Sequence, residues 1–154
     1  MTHRIRVAGL VRRGDEILLI HQQNHQGMRT WGFPGGRMEP TDADIFRGAE
    51  REVWEETGLR VEARQIRYVS EYLAPDMFAI TLVIECHLAE DEDPANIHLG
   101  NIMEDDNIFG VAWWQITQIR TSEEPMSRTL GEPAFWEALD SANLGVYLGR
   151  HLDH

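Results

Sequence analysis

Arg51-Glu52-Val53-Trp54-Glu55-Glu56-Thr57-Gly58-Leu59 is the stretch on which the reading of this chain turns. Glu52, Glu55 and Glu56 stand at i, i+3 and i+4, so on a helix they project from one face. Carboxylates packed this closely repel one another at neutral pH. One reading is a solvated acidic face, since glutamate is a good helix former. The other is a divalent cation that relieves the repulsion. Hard oxygen donors at this spacing suit Mg²⁺ or Mn²⁺, which keep several waters and bind substrate phosphates.

The flanking residues mark out the helix. Thr41, with Asp44 three residues on, predicts a capping-box start after Pro40, and Gly58 predicts a left-handed cap at the end. Ile45, Phe46, Ala49 and Val53 form an apolar stripe at helical spacing. The stripe adjoins the glutamates, which places them at the edge of the buried face.

Upstream of the helix the chain reads as a β-hairpin. Ile5, Val7, Gly9 and Val11 alternate with their neighbours, Gly14-Asp15 turns, and Ile17 to Ile20 is a buried-strand run. Residues 22–30 are polar and predict a loop, and Trp31-Gly32-Phe33 leads into a Pro34-Gly35-Gly36 turn. Downstream, residues 60–72 are extended, Ala74-Pro75-Asp76 turns, and residues 77–88 are strongly β-prone. Residues 90–106 form an acidic loop, 109–116 a strand and 132–139 a second helix. Mixed helices and strands, with most strands adjacent, predict an α/β sandwich on a mixed sheet.

Composition narrows the function classes. The chain has 154 residues, enough for one domain with its own core over residues 1–154. It carries 26 acidic residues against 14 basic ones, a formal net charge of −12, and every basic residue is arginine. Without lysine a Walker P-loop and Schiff-base chemistry are excluded. The acidic balance speaks against nucleic acid and against anionic membranes as partners. A small phosphorylated ligand remains compatible if divalent metals bridge the negative charges. No segment reaches the roughly 20 apolar residues of a membrane helix. One cysteine, Cys86, allows no intrachain disulfide and fits a reducing, cytoplasmic setting.

Together, Gly36 and the run from Arg51 to Leu59 resemble the Nudix box of the MutT-like hydrolases, G-x5-E-x7-R-E-U-x-E-E-x-G-U, with U a bulky aliphatic residue. Gly36 matches the first glycine, and everything from Arg51 to Leu59 matches the second half. Asp42 stands where the box has its first glutamate, and the loop from it to Arg51 is one residue longer than the pattern. The resemblance extends more weakly to residues 31–36 and 113–119. It implies the family's α/β/α sandwich with a mixed β-sheet.

The resemblance also implies chemistry: metal-dependent hydrolysis of a nucleoside diphosphate linked to another group X, a small-molecule nucleotide. By carry-over, Arg51, Glu52, Glu55 and Glu56 are the catalytic set. Gly36, Glu52, Glu55, Glu56 and Asp106 are the metal set, for Mg²⁺ or in its place Mn²⁺, with Arg51 holding a glutamate in place. Trp31 and Phe33 read either as base-stacking groups or as core, and Arg29 and Arg37 either as phosphate contacts or as partners of nearby carboxylates. Pro75, sixteen residues after Leu59, resembles the ADP-ribose pyrophosphatase branch. ADP-ribose or a sugar nucleotide therefore ranks first, ahead of a (deoxy)nucleoside triphosphate. A non-catalytic nucleotide sensor of the same fold is the reading from a different class, and a homodimer is compatible with the family.

Overall fold

A computed structural model describes residues 1–24, 26–98 and 107–153. The predicted hairpin is β1 (Thr2–Arg13) and β2 (Glu16–Gln23), followed by β3 (Arg29–Gly32) and β4 (Gly35–Arg37). The predicted helix is α1 (Ile45–Thr57). After it come β5 (Val61–Ala74), β6 (Met77–Leu88), β7 (Ile108–Gln115), α2 (Ile116–Thr121), α3 (Arg128–Gly131), α4 (Pro133–Leu139) and β8 (Val146–Leu152).

The strands form a mixed sheet in the order β3-β2-β1-β6-β5-β8, with β4 on β1 and β7 on β2. β1 runs parallel to β6 from Thr2↔Met77 to Val11↔Cys86, whereas it pairs with β2 only at Arg12↔Ile17 and Arg13↔Glu16. The hairpin therefore splays beyond its turn, and β4 takes over beside β1 at Arg6↔Arg37, Val7↔Gly36 and Ala8↔Gly35.

Alternation along the strands feeds two cores, one on each face of the sheet. Val7, Val11 and Leu18 pack with Ala49 and Val53 of α1. Ala8, Leu10, Ile17 and Leu19 pack with Phe135, Ala138 and Leu139 of α4. This is the α/β/α sandwich on a mixed sheet that the family resemblance implies. α1 lies close on β1 because Gly9 has no side chain to collide with Val53. On the opposite face Phe135 packs its ring 4.7 Å from that of Tyr68 and 5.6 Å from that of Phe33. Such aromatic pairs add about 0.5–1.5 kcal/mol each beyond the area they bury.

The structure corrects several expectations. The N-cap of α1 is Asp44, not Thr41, and its carboxylate accepts from the Arg47 N–H at 2.8 Å. Residues 39–42 are instead drawn into a turn, with the Asp42 N–H donating to the Glu39 carbonyl. The predicted loop 22–30 is shortened at both ends, because Gln22↔Thr30 and Gln23↔Arg29 pair across the sheet edge. Polar strands are tolerated there since one side faces water. β8, unpredicted, pairs parallel with β5. Its Gly149, Arg150 and His151 hide the β signal, and only Leu148 is buried. α2 and α3 are also unpredicted, and each is too short to show periodicity. Gly58 does adopt the left-handed conformation, φ 79°, and caps α1 through its N–H to the Trp54 carbonyl. Cys86 is buried, and burial pushes its thiol up to about 12. Among the described residues no helix is long and apolar enough to cross a membrane.

Candidate active site

The splay between β1 and β2 opens a cleft of about 810 Å³. α1 turns Glu52, Glu55 and Glu56 toward it, β1 contributes Arg4 and Arg6, and the segment from Gly35 to Glu39 borders it. Tyr72, Met77 and Ala79 add apolar surface from β5 and β6.

Arg51 organises the carboxylates. Its Nε and Nη2 each donate to one oxygen of Asp42 at 2.8 Å, a two-pronged grip. Its Nη1 donates to Glu52 at 2.9 Å and to Glu55 at 3.2 Å, and Nη2 also reaches the Arg37 carbonyl. A single guanidinium thus links the turn before the helix to two glutamates on it. Asp42, the shorter acid in the longer loop, fills a clamping position. The hydrogen bond from Arg51 holds its carboxyl below the usual carboxylate range.

Glu56 is oriented differently. Its Oε1 accepts from the Gly35 N–H at 2.6 Å. Burial, reinforced by the charge of Glu52, pushes its carboxyl well above the usual range. Burial also raises Glu52, against the opposing pull of Arg51. Gly36 leaves room for this carboxylate, since a Cβ there would lie 2.7 Å from Glu52 Oε1 and force the glutamate to shift.

Among the described residues no three His, Cys, Asp or Glu side chains are gathered tightly enough to cage an ion. The hydrogen bonds explain this: Arg51 engages Glu52 and Glu55, and the Gly35 N–H engages Glu56. The donor set nonetheless suits a hard cation. It consists wholly of oxygens, and it includes a buried carboxylate whose ionisation a nearby positive charge would favour.

The other predicted residues lie as follows. Arg37 borders the cleft. Phe33 does not, for its ring is buried in the α4-side core. Trp31 stacks on His21 at 4.7 Å and meets Trp114 edge-on, beside a separate surface groove. The Arg29 guanidinium lies 3.8 Å from the centre of the Phe109 ring. Asp106, with Glu104 and Asp105, lies outside the described residues. Arg4 and Arg6 escaped the sequence reading, because in sequence they look like the polar half of an alternating strand. Their one signal was two cations two residues apart at the start of a strand in a strongly acidic chain.

The fold and site together define an α/β/α sandwich whose first helix turns three carboxylates onto an arginine-bearing cleft. The chain belongs to the NUDIX family, whose domain model matches residues 2–133. A MutT-like protein of Streptomyces ambofaciens is 40% identical over 84 residues, 54% of this chain and 51% of that protein. The mouse protein named nucleoside diphosphate-linked moiety X motif 6 is 34% identical over 90 residues, 56% of this chain and 28% of that protein. The chain thus spans about half or less of the length of these curated relatives. A NUDIX hydrolase structure from Nitrosomonas europaea superposes with a TM-score of 0.72 at 20% identity, covering 99% of this chain and 81% of that one.

Proposed function

We propose that this protein is a divalent-metal-dependent pyrophosphohydrolase cleaving a nucleoside diphosphate linked to another group, X. The observation that carries the reading is the convergence of Glu52, Glu55 and Glu56, from a single helix, on the cleft that Arg4, Arg6 and Arg37 also line. An anionic ligand needs positive charge, and carboxylates border such a cleft usefully only if a cation bridges them to it.

Glu52, Glu55 and Glu56, with the backbone of Gly36, would hold Mg²⁺ or Mn²⁺. The ion, when bound, neutralises charge on the pyrophosphate and makes a bound water a nucleophile at neutral pH. The chain's own residues do the positioning. Arg51 holds Glu52 and Glu55 in place through its Nη1 and opposes the rise that burial imposes on Glu52. The Gly35 N–H orients Glu56. Met77 and Ala79 line one side of the cleft with apolar surface.

Pro75, whose distance from Leu59 resembles the ADP-ribose pyrophosphatase branch, sits where a turn also places a proline. With Asp76 it forms the tight β5–β6 turn, whose Asp76 carbonyl accepts from the Thr2 N–H at 2.8 Å, so the turn accounts for the proline.

The test is a hydrolysis screen with Mg²⁺, and separately Mn²⁺, over ADP-ribose, sugar nucleotides, dinucleoside polyphosphates and nucleoside triphosphates, with Glu56→Gln as control. Turnover that needs the metal and vanishes in Glu56→Gln supports the enzyme. Ligand binding without product across the whole panel would make the protein a nucleotide sensor instead.

A further inference from the structure

The chain has fourteen arginines and no lysine. Eight of the arginines form ion pairs with carboxylates. Arg29, Arg120 and Arg128 lie over aromatic rings. Among the described residues only Arg4, Arg6 and Arg37 have neither kind of partner, and all three border the same cleft. In a protein with a net charge of −12, unpaired cations gathered in one place are not a by-product of composition.

The sheet brings them together. Arg4 and Arg6 are two apart on β1 and share a face. Arg37 on β4 is the direct cross-strand partner of Arg6, and like charges opposite one another destabilise a sheet. The Arg4 Nε is buried without a hydrogen-bond partner. Burial lowers the pKa of Arg6, and the charges of Arg4 and Arg37 lower it further, against the pull of Glu56 and Glu52. A buried donor without an acceptor costs free energy that a bound ligand recovers. None of the three pairs with the carboxylates across the cleft, and a metal ion on the glutamates would leave the guanidinium charge wholly unbalanced.

We propose that Arg4, Arg6 and Arg37 recognise a terminal phosphoryl group and make this cleft select for it over a phosphate enclosed in a diester linkage. The inference rests on the pyrophosphohydrolase reading and specifies X. A terminal phosphoryl group carries about −1.5 to −2 charge at pH 7 and three strong acceptor oxygens. A phosphorus joined on both sides carries one ionisable oxygen. Three guanidinium groups, each a planar fork of donors, match the first and over-serve the second. X is then a phosphoryl group, as in a nucleoside triphosphate, or a group that ends in one. ADP-ribose, whose two phosphates are both bridging, lacks the recognised feature.

Two readouts test this. In the first, kcat/KM for ATP and for ADP-ribose is measured with Mg²⁺ on the wild type, Arg4→Gln and Arg4→Lys. The ratio of ATP to ADP-ribose is expected to exceed one in the wild type, to fall about tenfold in Arg4→Gln, and to recover partly in Arg4→Lys. The second needs no turnover: calorimetric binding of inorganic tripolyphosphate with Mg²⁺ should weaken about tenfold in Arg4→Gln. The Gln variant is expected to melt no lower than wild type, since the structure gives Arg4 no bond to lose. Lack of turnover with every substrate would overturn the pyrophosphohydrolase reading and leave the arginines to be judged by tripolyphosphate alone. An unchanged tripolyphosphate affinity in Arg4→Gln, or equal losses for ATP and ADP-ribose, would overturn the arginine assignment.

Discussion

Asp42→Asn is the substitution that most directly probes how the carboxylate helix is held. Asp42 takes two hydrogen bonds of 2.8 Å from Arg51 and a third, of 2.9 Å, from the Glu39 N–H. Its side chain is only 5% exposed and that of Arg51 19%. An amide keeps the shape but removes the charge and turns donors toward the donors of Arg51. Breaking a fully buried pair costs about 3–5 kcal/mol. Arg51 keeps Glu52 and Glu55, so a loss of about 2–3 kcal/mol is expected. At about 2–4 °C per kcal/mol for a chain of this size, that lowers Tm by about 4–12 °C.

The pH dependence gives an independent check on the same pair. The folded-state pKa of Asp42 lies below the ordinary 3.8. A depressed carboxylate contributes stability that is fully present above the unfolded value and lost as pH falls through the folded one. The gap between wild type and Asp42→Asn should therefore be constant near neutrality and close below the usual carboxylate range. Urea unfolding from pH 7 down to the acid limit of reversible folding measures both quantities. A difference under about 0.5 kcal/mol at pH 7, the size of a surface substitution, or a gap that ignores pH, would refute the clamp.

The remaining predictions concern the glutamates. Glu56→Gln should lower kcat by several orders of magnitude with the fold intact, because charge stabilisation at the metal is lost; circular dichroism alongside kinetics separates the two. Gly36→Ala should lower kcat and raise the Mg²⁺ concentration needed for half-activation, since its Cβ would meet the Glu52 carboxylate; a wild-type Mg²⁺ requirement would show that Glu52 does not need its present position. Added Mg²⁺ should raise Tm, and more so at higher pH. The sign follows from Glu56, whose folded pKa is raised: the folded state then binds the extra proton, so stability falls as pH climbs from the ordinary value through the raised one. An ion that takes the ionised form offsets a larger penalty there, and a Tm unmoved by millimolar Mg²⁺ at every pH would count against a metal on these residues.

What was legible in the sequence was local. The spacing of Glu52, Glu55 and Glu56, the stripe through Ala49 and Val53 and the stop at Gly58 all follow from the 3.6-residue period and from a left-handed position that only glycine occupies cheaply. The β1–β2 hairpin was equally local, since alternation and the Gly14-Asp15 turn lie within a few residues of each other. Tertiary structure decided everything that depended on which strands lie side by side. β8, with few buried residues, is a strand because β5 offers it an edge. Phe33 enters the core because its side of the sheet faces α4 rather than α1. Asp42 becomes the clamp on Arg51 because the longer loop folds back as a turn. Arg4, Arg6 and Arg37, without ion-pair partners among the described residues, come together because β1 accepts β4 beside it. Helical spacing can be counted along the chain, whereas a charge cluster assembled across strands leaves no period to count, and its meaning lies in the partners it lacks.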